Sequence, residues 1–77
     1  MWDYRVVKER TKDGTELFKI AEVFFNDNGE PWAFVEPDES FLSWESIEEL
    51  EKNIDWFKEA FAKPVLYEKD DGSLETL

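Results

Sequence analysis

The sequence predicts an α+β domain, a three-stranded antiparallel β-meander with one C-terminal amphipathic helix packed on one face. Three observations carry that expectation. Two glycine-ended turn signals, Asp13-Gly14 and Asn26-Asp27-Asn28-Gly29, separate three runs rich in β-branched and aromatic side chains. A helix-opening signature, Ser46-Ile47-Glu48-Glu49, precedes apolar residues spaced three and four apart. Finally, 77 residues without a cysteine hold one small core that no disulfide staples.

The first strand runs from Trp2 to Arg10, around Tyr4, Val6 and Val7. Asp13 and Gly14 tolerate the positive φ of a hairpin turn, and the second strand follows from Glu16 to Asn26. The third strand spans Pro31 to Glu36 and is closed by Pro37, which has no N–H to donate to a ladder. Residues 37–45 connect to the helix and carry three large apolar groups, Phe41, Leu42 and Trp44. The helix opens at Ser46, whose hydroxyl accepts from the third helical amide while Glu49 reaches back. Glu48, Glu49 and Glu51 suit its positive end. Its apolar stripe is Ile47, Leu50, Ile54, Phe57 and Phe61, and Lys63 and Pro64 end it. Val65-Leu66-Tyr67 adds a short fourth strand or lies across the sheet. One domain then covers residues 1–69, and residues 70–77, beginning Asp70-Asp71-Gly72-Ser73, form a flexible acidic tail.

The second strand is the most telling element. Phe18, Ile20 and Phe24 point one way, and Leu17, Ala21, Val23 and Phe25 the other. A small antiparallel sheet needs only one apolar face, so both faces of this one must be covered. Two-residue hairpin loops set Phe25 opposite Trp2 and Trp32 and place Arg5 across from Glu22. Three-residue loops with Gly14 and Gly29 as bulge residues instead put Trp2, Tyr4, Ile20, Glu22, Phe24, Trp32 and Phe34 on one face. Val7, Leu17, Ala21, Val23, Phe25, Ala33 and Val35 then share the other. Under either register one helix covers one face. The second face is left to the 37–45 loop and the C-terminal segment, to a second copy, or to a partner protein. Phe41, Leu42 and Trp44 are the plug in the first case. In the others they are interface anchors, together with Trp2, Phe24, Trp32 and Phe34.

Composition narrows the chemistry. There is no histidine, which removes the commonest general base and zinc ligand at once, and no cysteine to serve as nucleophile or thiolate ligand. Glu22 and Glu36 are the only acids inside apolar strands, hence the only candidate acid–base pair, and Arg5 or Lys19 as a cross-strand partner explains Glu22 more simply. Asp27, Asn28 and Glu30 lack the ligand pattern of a calcium loop and read as turn residues. The three glycines sit in separate turns, so no phosphate loop exists. These readings predict a protein that is not an enzyme and uses no metal or cofactor.

Net charge is −11, and it is uneven: residues 1–19 hold five basic and four acidic side chains, residues 20–77 four basic and sixteen acidic. That balance repels nucleic acid and favours basic protein partners. No apolar run approaches a membrane span and no leader opens the chain, so cytoplasmic residence is expected, with no membrane and no small-molecule substrate. Along the helix, Glu48, Glu51, Asp55 and Glu59 fall near the solvent side. Carboxylates so spaced on a rigid element can imitate a phosphate track and occupy a basic protein groove, which is the alternative function.

Several segments resemble an uncharacterised family of short acidic bacterial proteins. They are Tyr4-Arg5-Val6, Ile20-Ala21-Glu22-Val23-Phe24-Phe25, Asn26-Asp27-Asn28-Gly29 with Pro31, Glu48-Glu49-Leu50, and Pro64-Val65-Leu66. The resemblance spans residues 4–66 and implies no activity. The order of meander, connection and Ser-x-Glu-Glu-Leu helix is also similar in architecture to HicB-type antitoxins, acidic proteins that bind a basic toxin. The expectation is a protein-binding or self-association module.

Overall fold

The computed structural model describes residues 1–76. Its strands are β1 (Trp2–Arg10), β2 (Glu16–Phe25), β3 (Pro31–Val35), β4 (Leu66–Glu68) and β5 (Leu74–Thr76), and its α-helix is α1 (Ile47–Glu59). A 3₁₀ turn, Glu39–Leu42, precedes α1, and another, Ala60–Ala62, extends it. The strands form one mixed sheet in the order β3-β2-β1-β4-β5, with β4 parallel to β1 and every other pairing antiparallel. The expected meander is present, and two further strands join it.

One device closes all three hairpins. In the first, the Thr11 amide donates to the Thr15 carbonyl at 2.8 Å and the Gly14 amide donates to the Thr11 carbonyl at 3.0 Å. Three residues are left in the loop, and Gly14 takes φ +87°, which glycine adopts freely and an L side chain only under backbone strain. Asn26–Glu30 and Lys69–Ser73 repeat both bonds. Short side chains lock the same loops: Asp13 accepts from the Thr15 amide, Asn26 from the Asn28 and Glu30 amides, and Asp71 from the Ser73 amide. The segment expected as a loose tail is therefore a third hairpin, with β5 paired to β4 through Thr76. Leu77 lies outside the described residues.

Three-residue loops decide the β1–β2 register, Trp2 opposite Phe24 through Arg10 opposite Glu16. Even-numbered residues of β1 and β2 share one face and odd-numbered residues the other. The expectation for β3 is corrected. A bulge between Phe24 and Phe25 makes Phe25 face Pro31 and Phe24 face Ala33, with Trp32 as the extra residue. Phe34 thereby joins Val23 on the odd face, while Ala33 and Val35 fall on the even face.

The odd face solves its covering problem without a partner. Val7, Ala21, Val23 and Leu66 are fully buried there, with Phe25 nearly so, and Phe34 and Leu74 pack against them. The sheet curls until its edge strands, β3 and β5, approach each other, and the odd face becomes its own interior. Of the three coverings open to the face away from the helix, the C-terminal segment is the one used. Short β4 and β5 supply what the three-strand sheet lacked, through Leu66 and Leu74.

The even face is convex and carries the helix. Tyr4, Val6 and Ala60 are buried on it, with Ile20, Phe41, Phe57 and Val65 around them. Ser46 caps α1, its hydroxyl accepting from the Glu49 amide at 3.1 Å. The helix is rotated from the stripe read in the sequence: Asn53 and Ala60 are its buried residues through Ala62, whereas Ile47 is 80% and Phe61 70% exposed. Two causes are visible. Trp56 packs on Trp2 and Tyr4, ring centres 5.0 and 5.1 Å away, and Ala60 is small enough to sit over β1. Asn53 tolerates burial because its amide donates to the Glu49 carbonyl at 2.9 Å within the helix.

Candidate docking surface

The curled sheet leaves its apolar excess on the convex side, where α1 covers β1 but not the whole of β2 and β3. Phe18 on β2 is 64% exposed, Trp32 on β3 67%, and Leu42 in the 3₁₀ turn 60%. Val35 and Trp44 are about half exposed beside them. Phe24 is half-buried, 6.3 Å from the Trp32 ring.

The connection that follows β3 works partly as plug and partly as rim. Asp38 starts its 3₁₀ turn, the carboxylate accepting from the Ser40 amide at 2.9 Å. The Ser40 hydroxyl and amide together hold the Asp38 pKa below the usual carboxylate range. The turn drives Phe41 inward against Tyr4 and stacks it on Phe57, ring centres 6.2 and 6.4 Å apart. Leu42 and Trp44 stay outside, the Trp44 indole donating to the Phe41 carbonyl at 3.1 Å. Between the turn, β2 and α1 lies an open groove of about 580 Å³. Ile20, Pro37, Phe41, Leu42 and Phe57 line it, and Lys19, Glu36, Asp38 and Glu39 border it.

Of the seven residues that the sequence nominates for contact, six lie on this side of the molecule or in the turn beside it. Trp2 is one of them, though it packs on Tyr4 and Trp56. Phe34 is the exception, turned inside by the bulge. The acidic residues of the alternative also come together. Glu48, Glu51, Asp55 and Glu59 border a shallow depression on α1 with Lys52 and Trp56. Among the described residues none of the four carboxylates is in an ion pair.

The structure reassigns the candidate chemical groups. Neither Arg5 nor Lys19 partners Glu22, because both belong to the odd face. Glu22 lies opposite Tyr4, whose hydroxyl pKa is raised by burial and, to a lesser degree, by that carboxylate. Arg5 is buried, donates to the Pro64 carbonyl at 2.6 Å and stands 5.4 Å from the Phe25 ring centre. Asp27, Asn28 and Glu30 serve the second hairpin.

Sequence reasoning missed one cluster altogether. Glu9, Glu36 and Glu68, from β1, the end of β3 and β4, bring carboxylate oxygens within 4.8 Å of one another. The Lys19 ammonium occupies the space among them, bonded to Glu36, 2.8 Å from Glu68 and 3.4 Å from Glu9. It also lies 5.1 Å from the Phe34 ring centre. Burial alone would lower its pKa, but hydrogen bonds to Glu36 and Glu68 outweigh that and lift it above the ordinary lysine range. Lys19 is a clasp that ties four strands at one end of the curled sheet. No signal short of the tertiary pairing could have found it.

Comparison with family models, curated proteins and solved structures finds no match to the chain. Among the described residues no helix is long and apolar enough to cross a membrane.

Proposed function

We propose that this protein is a non-enzymatic, cytoplasmic binding module that docks another protein on the convex side of its sheet. One observation carries the reading: a chain with a completed core still exposes Phe18, Trp32, Leu42 and Trp44, and Leu42 borders an apolar groove of about 580 Å³ with Ile20, Phe41 and Phe57. Scattered apolar groups are ordinary on a surface, but an apolar groove rimmed by charge marks a contact site. The titratable groups do not support catalysis, because Glu36 is committed to Lys19 and Glu22 faces a tyrosine on the opposite strand.

A second reading keeps a specific observation of its own. The four carboxylates of α1 border one depression, beside Lys52, and among the described residues none is in an ion pair; that is the arrangement a phosphate mimic needs, and resemblance to HicB-type antitoxins points the same way.

The two readings separate in one experiment. Immobilised native protein and two variants are compared for the proteins they retain from the source cell, with light scattering to report self-association. Retention lost in Leu42→Asp/Trp44→Ser but kept in Glu48→Lys/Glu51→Lys/Asp55→Lys supports docking on the apolar side. The reverse pattern supports the mimic. Retention indifferent to both, with a monomer in solution, refutes both.

A further inference from the structure

We propose that the groove between β2, the 3₁₀ turn and α1 receives a cationic amphipathic segment of a partner protein: one face of apolar anchors, flanked by lysine or arginine. The inference rests on the docking reading above and specifies the partner's chemistry. The floor, Ile20, Phe41, Leu42 and Phe57, offers no polar group to satisfy, and its about 580 Å³ is in the range that accommodates apolar groups of ligand size. The rim is the opposite in character. Asp38 and Glu39 stand at the mouth, and Asp38 is held by Ser40 rather than by a cation. Residues 20–51, which supply all of the groove except Lys19 and Phe57, contain ten acidic side chains and no lysine or arginine. Nearly the whole net charge of the protein is therefore carried by the segment that builds this site.

That combination selects among occupants. A second copy would bring another −11 chain and the same acidic rim against this one, so like charges would meet wherever the grooves approached. An uncharged apolar peptide would fill the floor and leave the rim desolvated without return. Lysine and arginine side chains solve both problems, since their methylene stems lie on apolar surface while the charged heads reach the rim carboxylates.

The probe is a 14-residue leucine–lysine amphipathic peptide, with leucine–glutamine and leucine–glutamate versions as controls, titrated into the intact protein by NMR. Shifts centred on the amides of Ile20, Phe41, Leu42 and Phe57 support the proposal. So does weakening of about three- to tenfold, the ordinary worth of two exposed ion pairs, in Asp38→Asn/Glu39→Gln and at high salt. Asparagine keeps the turn's cap, so that variant remains folded. Equal binding of the glutamine peptide, or shifts centred on Glu48, Glu51 and Asp55, overturns it. Concentration-dependent dimerisation that blocks the groove also overturns it, in favour of a second copy. If the lysine peptide does not bind while retention on the native protein still depends on Leu42 and Trp44, this proposal falls and the docking reading stands. If both fail, both fall.

Discussion

Replacing Lys19 with methionine tests the clasp that holds the curled sheet at one end. Methionine keeps an unbranched chain of similar length and removes the charge with its hydrogen bonds to Glu36 and Glu68. The lysine side chain is 17% exposed, while its partners range from 21% for Glu68 to 61% for Glu36. Removing one partner of a fully buried pair costs about 3–5 kcal/mol, and the open Glu36 reduces that here to about 2 kcal/mol at pH 7. For a domain of this size the loss corresponds to a fall in Tm of about 10 °C. The pH dependence adds a sign. The lysine pKa is raised on folding, so its stabilisation is complete below about pH 10, the unfolded lysine pKa, and is lost only as pH climbs through the folded value. Between pH 4 and 8 the native lysine therefore stays charged and the clasp stays closed. The deficit of the variant is measured by urea denaturation at pH 7. A deficit below about 0.5 kcal/mol, the ordinary size of a surface substitution, refutes the clasp.

Three other outcomes are expected. Truncation after Glu68, which removes β5 and the half-buried Leu74, lowers stability by about 1–2 kcal/mol, measured by thermal melting; an unchanged Tm would restore the loose-tail expectation. Leu66→Ala, at a fully buried site between β1 and β5, costs about 2–5 kcal/mol in denaturant titration, and a cost under 1 would mean the odd face is not sealed. The Asp13 carboxyl, held first by the Thr11 hydroxyl and then by Thr15, titrates near pH 2; because its folded pKa lies below the unfolded one, the stability it lends is present above pH 4 and fades as pH falls toward 2. Carbon-13 NMR of the carboxyl checks it, and a midpoint near 3.8 contradicts the hairpin geometry.

What the sequence made legible was local. Asp13-Gly14, Asn28-Gly29 and Ser46 each act through bonds to residues two to four positions away, and each stands where its chemistry placed it. Lys69-Asp-Asp-Gly-Ser carries the same grammar as the first two hairpins, so the third was readable too, from the turn and its flanking Leu66 and Leu74. The obstacle was length, because strands of three residues show no periodicity of their own. The bulge at Trp32 was hidden for another reason: one extra residue leaves the alternation of β3 intact while exchanging its faces. The helix stripe misled because hydrophobicity was read without size or aromatic stacking. Asn53 and Ala60 face the sheet ahead of Ile47 and Phe61. The residues nominated for contact, Phe34 excepted, fall on the convex side or in the 37–45 connection, because both stretches are apolar whichever way the strands pair.

The parallel pairing of β1 with β4 sets the order in which this molecule can be built. Val7 neighbours Lys19 on one flank and Leu66 on the other, so translation delivers the second neighbour long after the first. Until then β1 is a half-matched ribbon with bare amides, the condition that invites mispairing between nascent chains. Its completion waits on a contact remote in sequence, which slows folding and makes it all-or-none. A ribosome stalled before Leu66 would release an unfinished edge, and quality-control proteases would meet that species first.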